Sequence, residues 1–229
     1  MNDNTISLKK TARLAGLLYL VFVISGIYGL MYIPSQTIVP GNAAATAGKM
    51  LANEFLFQTG IINGIISSTI WVMIALALYR LFYQVNEWSA KLMVALVMIQ
   101  IPVFFIAEGL SITSLMIFKG EMLSSFPIDQ RQDMAMLLLK INSRTNIVLE
   151  MFWGLWLFPF GQLAYQSKFI PRLLGILLIL NGIAYVAHSF TALVFPDYQT
   201  LIQQLAMPFW IAGEVSIMLW LLIIGVKTK

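Results

Sequence analysis

The sequence predicts an all-α integral membrane protein: a bundle of six transmembrane helices, both termini cytoplasmic, with short helices in the outer loops. Three observations carry this. Of 229 residues 59% are hydrophobic and only 10% charged, whereas soluble domains carry about a quarter charged residues, so water is the wrong solvent. Six apolar segments, roughly 12–33, 55–82, 90–118, 145–166, 172–195 and 207–226, are each long enough to cross a hydrocarbon core of about 30 Å at about 1.5 Å per residue. None alternates as a barrel strand does, and backbone groups that cannot reach water must pair within a helix. Spans and loops use up the chain, so residues 1–229 are expected to form a single transmembrane domain.

The first span follows Lys9, Lys10 and Arg13, in the manner of a secretory signal. Its apolar run of about 20 residues exceeds the usual ~7–15, and the small-residue "ATA" at 45–47 lies too far beyond it, so a retained helix is expected. In "PGNAAATAGKMLANEF" (40–55), Asn42 is placed to cap an alanine-rich helix leading into the second span. That span carries "GIING" (60–64), a GxxxG expected to serve packing inside the bundle. Pro102 and Pro159 interrupt the third and fourth spans and free backbone carbonyls there. Between these spans, Ser125 and Pro127 signal a helix start, and Met134, Leu137, Leu138 and Ile141 follow at helical spacing. The spacing predicts an amphipathic helix over 127–141 that caps the bundle or lies at its mouth, with Asp129, Arg131 and Asp133 opposite. "RLLGILLIL" (172–180) opens the fifth span and echoes "RLAGLLYL" (13–20), each placing Arg at a helix start and Gly three residues later. A shared anchoring solution explains the echo better than duplication does.

Orientation follows from the 14 Lys and Arg residues. With the N-terminus cytoplasmic, that side holds nine: Lys9, Lys10, Arg13, Arg80, Lys91, Lys168, Arg172, Lys227 and Lys229. The other side holds Lys49, Lys119, Arg131, Lys140 and Arg144, in its two longer connections. Short loops decide topology, and the basic ones lie on the first side.

Three stretches, "TARLAGLLYL", "ANEFLFQTGI" and "SKFIPRLLGILLILNGIAY", resemble a large family of bacterial multi-pass membrane proteins catalogued as a domain of unknown function, number 4386. The resemblance runs over most of the chain. It implies a six-helix protein of the bacterial cytoplasmic (inner) membrane, and it implies no activity and no catalytic residues.

Chemistry must therefore come from the polar residues inside the spans. Counted from the expected outer helix ends, Glu108, Glu150, Glu214, His188 and Asn63 fall roughly 9–16 Å deep, in the outer half. The other half holds Gln100 and Gln162 but no acid. Asn181, Tyr185 and His188 form one helical stripe, Asn142, Asn146 and Glu150 a second; Gly60, Asn63 and Ser67 share a face, as do Ser25, Tyr28 and Tyr32. Polar stripes in lipid turn inward, which predicts a pocket that opens outward, with Glu108, Glu150, Glu214, His188, Asn63, Asn146, Asn181 and Tyr185 as its ligand-binding residues. Three ionised glutamates against one histidine leave an uncompensated charge, so at least one acid is expected to be neutral or to hold a cation. Glu108 is expected to be neutral, paired with His188 or bound to a cation.

Other chemistries are excluded or thinly supported. Without cysteine there are no disulfides or thiolate metal sites, and one histidine forbids an HExxH helix. No Glu-x-x-His pair, G-x-S-x-G or phosphate loop occurs. A zinc site of one His and several Glu stays open. No cofactor is named by any motif, and the dispersed cations offer nothing to nucleic acid. The remaining readings are a binder or carrier of a small molecule or cation linked to protonation, a structural or partner-binding protein, and an intramembrane enzyme acting on a lipid or its headgroup, with enzyme activity the least favoured. Six spans are few for an alternating-access carrier, so a transporting form is expected as a homodimer, its remaining partner being the bilayer. Topology is directly testable: reporter fusions after Lys49, Ser89, Gln130, Lys168, Tyr198 and Lys229 should alternate out, in, out, in, out, in, and one break in that order removes the shared-depth argument.

Overall fold

The computed structural model describes residues 3–226; Lys227 and Lys229, two of the cations counted above, lie outside it. Its α-helices are α1 (Asp3–Gly26), α2 (Ile33–Thr37), α3 (Ala43–Ala52), α4 (Glu54–Phe82), α5 (Glu87–Met98), α6 (Ile101–Lys119), α7 (Ile128–Leu155), α8 (Leu157–Gln166), α9 (Arg172–Val194) and α10 (Gln199–Leu219), and no strand occurs among the described residues. These make six helical runs long and apolar enough to cross a membrane: Ser7–Thr37, Glu54–Phe82, Glu87–Lys119, Ile128–Gln166, Arg172–Val194 and Pro196–Ile224. The protein is thus an all-α multi-pass membrane protein.

Two of the breaks in the helices have a local cause. Ile99 and Gln100 separate α5 from α6 just before Pro102, and Trp156 separates α7 from α8 just before Pro159; proline clashes with the carbonyl four residues back. Residues Ile27–Tyr32 form a π-helical turn between α1 and α2, where the Ile33 N–H donates to the Tyr28 carbonyl. Asn42 caps α3 as expected, accepting from the Ala45 N–H at 2.9 Å.

Two starts differ from expectation. The fourth and sixth runs begin at Ile128 and Pro196, not near 145 and 207. No glycine or proline interrupts 128–153, so the segment 127–141 is no separate cap but the first half of α7. Its buried face is also displaced: Ala135, Met136 and Leu139 are buried, while Met134, Leu137 and Ile141 are 41%, 56% and 43% exposed. Lipid welcomes outward apolar residues, so apolar spacing alone does not tell which face of a membrane helix is buried. Pro208 lies inside α10, so neither Arg144 nor Pro208 marks a helix end from which depth can be counted.

The chain divides into two compact units. Unit 1 takes Met1–Val21, Ile70–Gln100 and Ile147–Lys229, so far as these are described, and unit 2 takes Phe22–Thr69 and Ile101–Asn146. Within unit 2, Ile33, Met50, Phe57, Leu115, Phe118 and Leu139 pack one apolar core. The GxxxG packs here internally: Gly60 lies against Ile33, and Gly64 leaves the space occupied by the Glu108 carboxyl.

Within unit 1, two glycine pairs set the register of α7 and α8 against α9. A Cβ on Gly154 would lie 2.5 Å from the Gly182 carbonyl oxygen, and one on Gly161 2.7 Å from the Gly175 carbonyl oxygen. Seven residues separate the glycines on each strand of this seam, two helical turns, so both pairs fall on one face and the helices run antiparallel in backbone contact. Gly16 and Gly175, the glycines of the two Arg-led repeats, are both close-approach positions, Gly16 against the Leu222 backbone. Arg13 donates to the Ile223 carbonyl at 3.1 Å and Arg172 lies over the Tyr165 ring. Trp156 centres the unit 1 core, in ring contact with Tyr19, Trp71 and Phe160.

The seam predicts an asymmetry among glycines. Gly154→Ala and Gly161→Ala, which push a methyl onto backbone, should each destabilise by about 1–3 kcal/mol. Gly48→Ala in α3, where nothing lies within 4 Å of the added carbon, should be neutral or stabilise by up to about 1 kcal/mol. Thermal unfolding in detergent reads both.

Candidate functional site

Beyond the glycine seam, four residues before Gly154 on α7 and six after Gly182 on α9, Glu150 and His188 meet. His188 Nδ1 lies 2.5 Å from Glu150 Oε2. One position further, the Ser189 hydroxyl donates to the Ile147 carbonyl at 2.7 Å and locks the same register. A bare Nδ1 and a carboxylate are both acceptors, so a proton must lie between them. The contact orients the imidazole with Nε2 facing away from Glu150. His188 is 3% exposed, and its Nε2 has no partner among the described residues.

Glu214 is accommodated differently. On α10 its carboxylate accepts from the Tyr185 hydroxyl at 2.9 Å and, at the 3.5 Å limit, from the Asn181 amide. The buried Tyr19 of α1 interacts with it electrostatically. Gly213, the residue before, lets α10 approach closely enough, since a Cβ there would lie 2.7 Å from that of Asn181. Two donors from α9 thus converge on one carboxylate oxygen.

Trp210 joins the two arrangements. Its ring stacks on Tyr185 (5.0 Å between centroids, 15° between planes) and meets His188 edge-on at 5.3 Å. Trp153 meets the other reach of Tyr185 edge-on. The Trp210 indole N–H and the Asn181 side-chain oxygen are buried without partners among the described residues. Unit 1 therefore holds one continuous cluster: Glu150, His188, Trp210, Tyr185, Glu214, Asn181 and Tyr19.

The other sequence-derived candidates lie in unit 2. The Glu108 carboxyl rests on Gly64; the imidazole offered to it by the sequence is engaged at Nδ1 by Glu150. Asn63 donates to the Ser25 carbonyl at 3.0 Å, across from the π-helical turn, and sits on Gly29. Asn142 donates to the Ala107 carbonyl and to Ser111 Oγ at 2.7 Å, and Asn146 donates to Asn142. Asn63 and Asn142 clamp helices of unit 2 to one another, while the Asn146 bond stays within α7.

Of the eight residues named from the sequence, Glu150, His188, Glu214, Asn181 and Tyr185 lie together in this cluster, which also contains Trp210 and Tyr19, two residues the sequence reading did not name. Trp210 stands one turn before Glu214 on α10, a spacing that puts both on one face; nothing in the sequence points from Tyr19 to Glu214. No group of three or more His, Asp or Glu positioned to hold a metal ion occurs among the described residues.

A family model described as "Domain of unknown function (DUF4386)" matches residues 14–225. No curated protein and no solved structure matches the chain.

The Glu214 geometry makes its own test. Tyr185→Phe and Glu214→Gln should each destabilise by about 0.5–2 kcal/mol, the range of interhelical hydrogen bonds in membranes. Because they remove one shared bond, the double variant should lose less than the two together, as read by thermal unfolding in detergent.

Proposed function

We propose that this chain, which belongs to the family described as Domain of unknown function (DUF4386), is a multi-pass membrane protein that binds a small cation or hydrogen-bond-donating ligand at His188 in competition with a proton. The observation that carries the reading is the buried, unpartnered Nε2 of an imidazole whose Nδ1 is held by Glu150. A carboxylate on one ring nitrogen fixes ring and tautomer and makes the other nitrogen a better electron-pair donor, an arrangement recurrent at metal and proton-transfer histidines. Left without a partner, a buried polar atom costs about 1–3 kcal/mol, and a guest that meets Nε2 recovers it. Release of the bound species to the opposite side of the membrane would make the protein a carrier.

Glu214 favours a second reading for its own part of the cluster. With donors from Tyr185 and Asn181, that acid is held by the protein itself and serves to fix α10 against α9. A purely structural protein would treat Glu150 and His188 in the same way.

His188 is the only histidine, so nitrogen-15 histidine labelling gives a spectrum of this site alone. Sodium, potassium, magnesium and zinc chlorides and methylammonium chloride, titrated at pH 6 and pH 8, are the probes. A guest competing with a proton binds more weakly as pH falls, by up to about tenfold per pH unit for one proton. At least one probe should move the Nε2 resonance with that pH dependence, and Glu150→Gln should abolish it while keeping the fold. An Nε2 resonance indifferent to every probe at both pH values leaves the structural reading standing.

A further inference from the structure

We propose that Glu108 is a proton-exchange site of unit 2: the acid sits protonated in a notch on α4, and loss of its proton opens the α4–α6 seam. Placement carries the argument. Glu108 lies eleven residues before Lys119 on α6, and Gly64 ten after Glu54 on α4. Lys119 and Glu54 are ion-paired at 3.0 Å, so both counts start from one level. They reach about 15–16 Å, the middle of a ~30 Å hydrocarbon core. There the Glu108 carboxyl occupies the volume that a Cβ on Gly64 would fill. Among the described residues no hydrogen-bond donor and no charge meets it.

An ionised carboxylate at that level has neither water nor a partner, whereas the neutral acid needs only an acceptor. One is close by. Ser67 Oγ on α4 is buried without a partner among the described residues. It stands three residues from Gly64, a spacing of about 5–6 Å between β-carbons, which one water or a turn of the carboxyl spans. The other polar groups nearby are committed. Ser68 donates to the Gly64 carbonyl, Ser111 to the Ala107 carbonyl while accepting from Asn142, and Asn63 to the Ser25 carbonyl. No cation stands ready either. Helix α4 carries no titratable group between Glu54 and Tyr79, α7 meets α6 through Asn142 while its Lys140 and Arg144 are exposed, and the Tyr28 hydroxyl is bonded to Thr59. Release of the proton therefore leaves a bare anion at mid-membrane. Within unit 2 that cost falls only if α6 parts from α4 and water reaches the carboxylate. None of these residues belongs to the His188 cluster, so this site stands or falls independently of the function proposed above.

Glu108→Gln keeps the shape of the neutral acid and should keep the wild-type Tm. In infrared spectra of the full chain in lipid, the difference between wild type and this variant isolates the Glu108 acid carbonyl band, which should be present at pH 5 and lost at pH 9. If the variant does not fold, a hydrophobic carbodiimide reads the same proton in the unaltered protein. It adds to the protonated acid, the carboxyl oxygen bonding the central carbon and the proton passing to a nitrogen. Labelling of Glu108, located by peptide mass, should fall by at least about tenfold from pH 5 to pH 9. The chain has no cysteine, so spin labels on Ile66→Cys and Ile106→Cys, at positions 50% and 66% exposed, report the seam directly. Their separation should grow by about 3 Å, one water diameter, as the pH rises, and stay fixed in the Glu108→Gln background. Absence of the Glu108 acid band and label at pH 5, or their persistence at pH 9, overturns the proton site. A spin-label separation indifferent to pH overturns the opening of the seam.

Discussion

The arrangement of unit 1 rests on backbone-to-backbone contact at two glycine pairs, Gly154 with Gly182 and Gly161 with Gly175. In lipid there is no hydrophobic drive to press helices together, so close approach, dispersion and the hydrogen bonds it permits must hold them. The seven-residue repeat makes the seam continuous over two turns and fixes it to a single register. A slip of one residue would rotate α9 by about 100° and carry His188 away from Glu150. Ser189 on the Ile147 carbonyl closes the same seam at its far end. What looks like a local acid–histidine pair is thus a consequence of where four glycines lack side chains.

The three intramembrane glutamates show three accommodations of a group that costs a few kcal/mol in a bilayer. Glu214 accepts from two donors on α9. Glu150 shares a proton's position with His188. Glu108 gains room, because Gly64 on α4 gives up the volume its carboxyl fills. The second leaves Nε2 of a buried imidazole without a partner among the described residues. The distribution of donors, rather than the presence of acids, is what separates a packing residue from a site.

Most of the fold was legible because lipid imposes simple demands. Composition gave the membrane, length gave six crossings, and prolines marked the breaks before Pro102 and Pro159. The cap at Asn42 was readable from side-chain chemistry alone. Starts of the fourth and sixth crossings were not, since polar residues near Arg144 and a proline at 208 suggested ends where the helices in fact continue. The buried face of 128–141 was misplaced for a related reason: outward leucines are penalised in water and not in hydrocarbon, so the usual signature of a core-facing stripe loses its meaning.

The site divides along the same line. By itself the sequence determined which residues are chemically able to act, because an acid, a histidine or an asparagine in an apolar run is costly and therefore conspicuous, and helical spacing placed Asn181, Tyr185 and His188 on one face. Only the tertiary structure decided their partners. Spacing orders residues along one helix but leaves free the rotation and register of a second helix against it. Here backbone contact at glycines sets both, and so gives His188 to Glu150, Glu214 to Tyr19 and Tyr185, and the ring of Trp210 to the space between them.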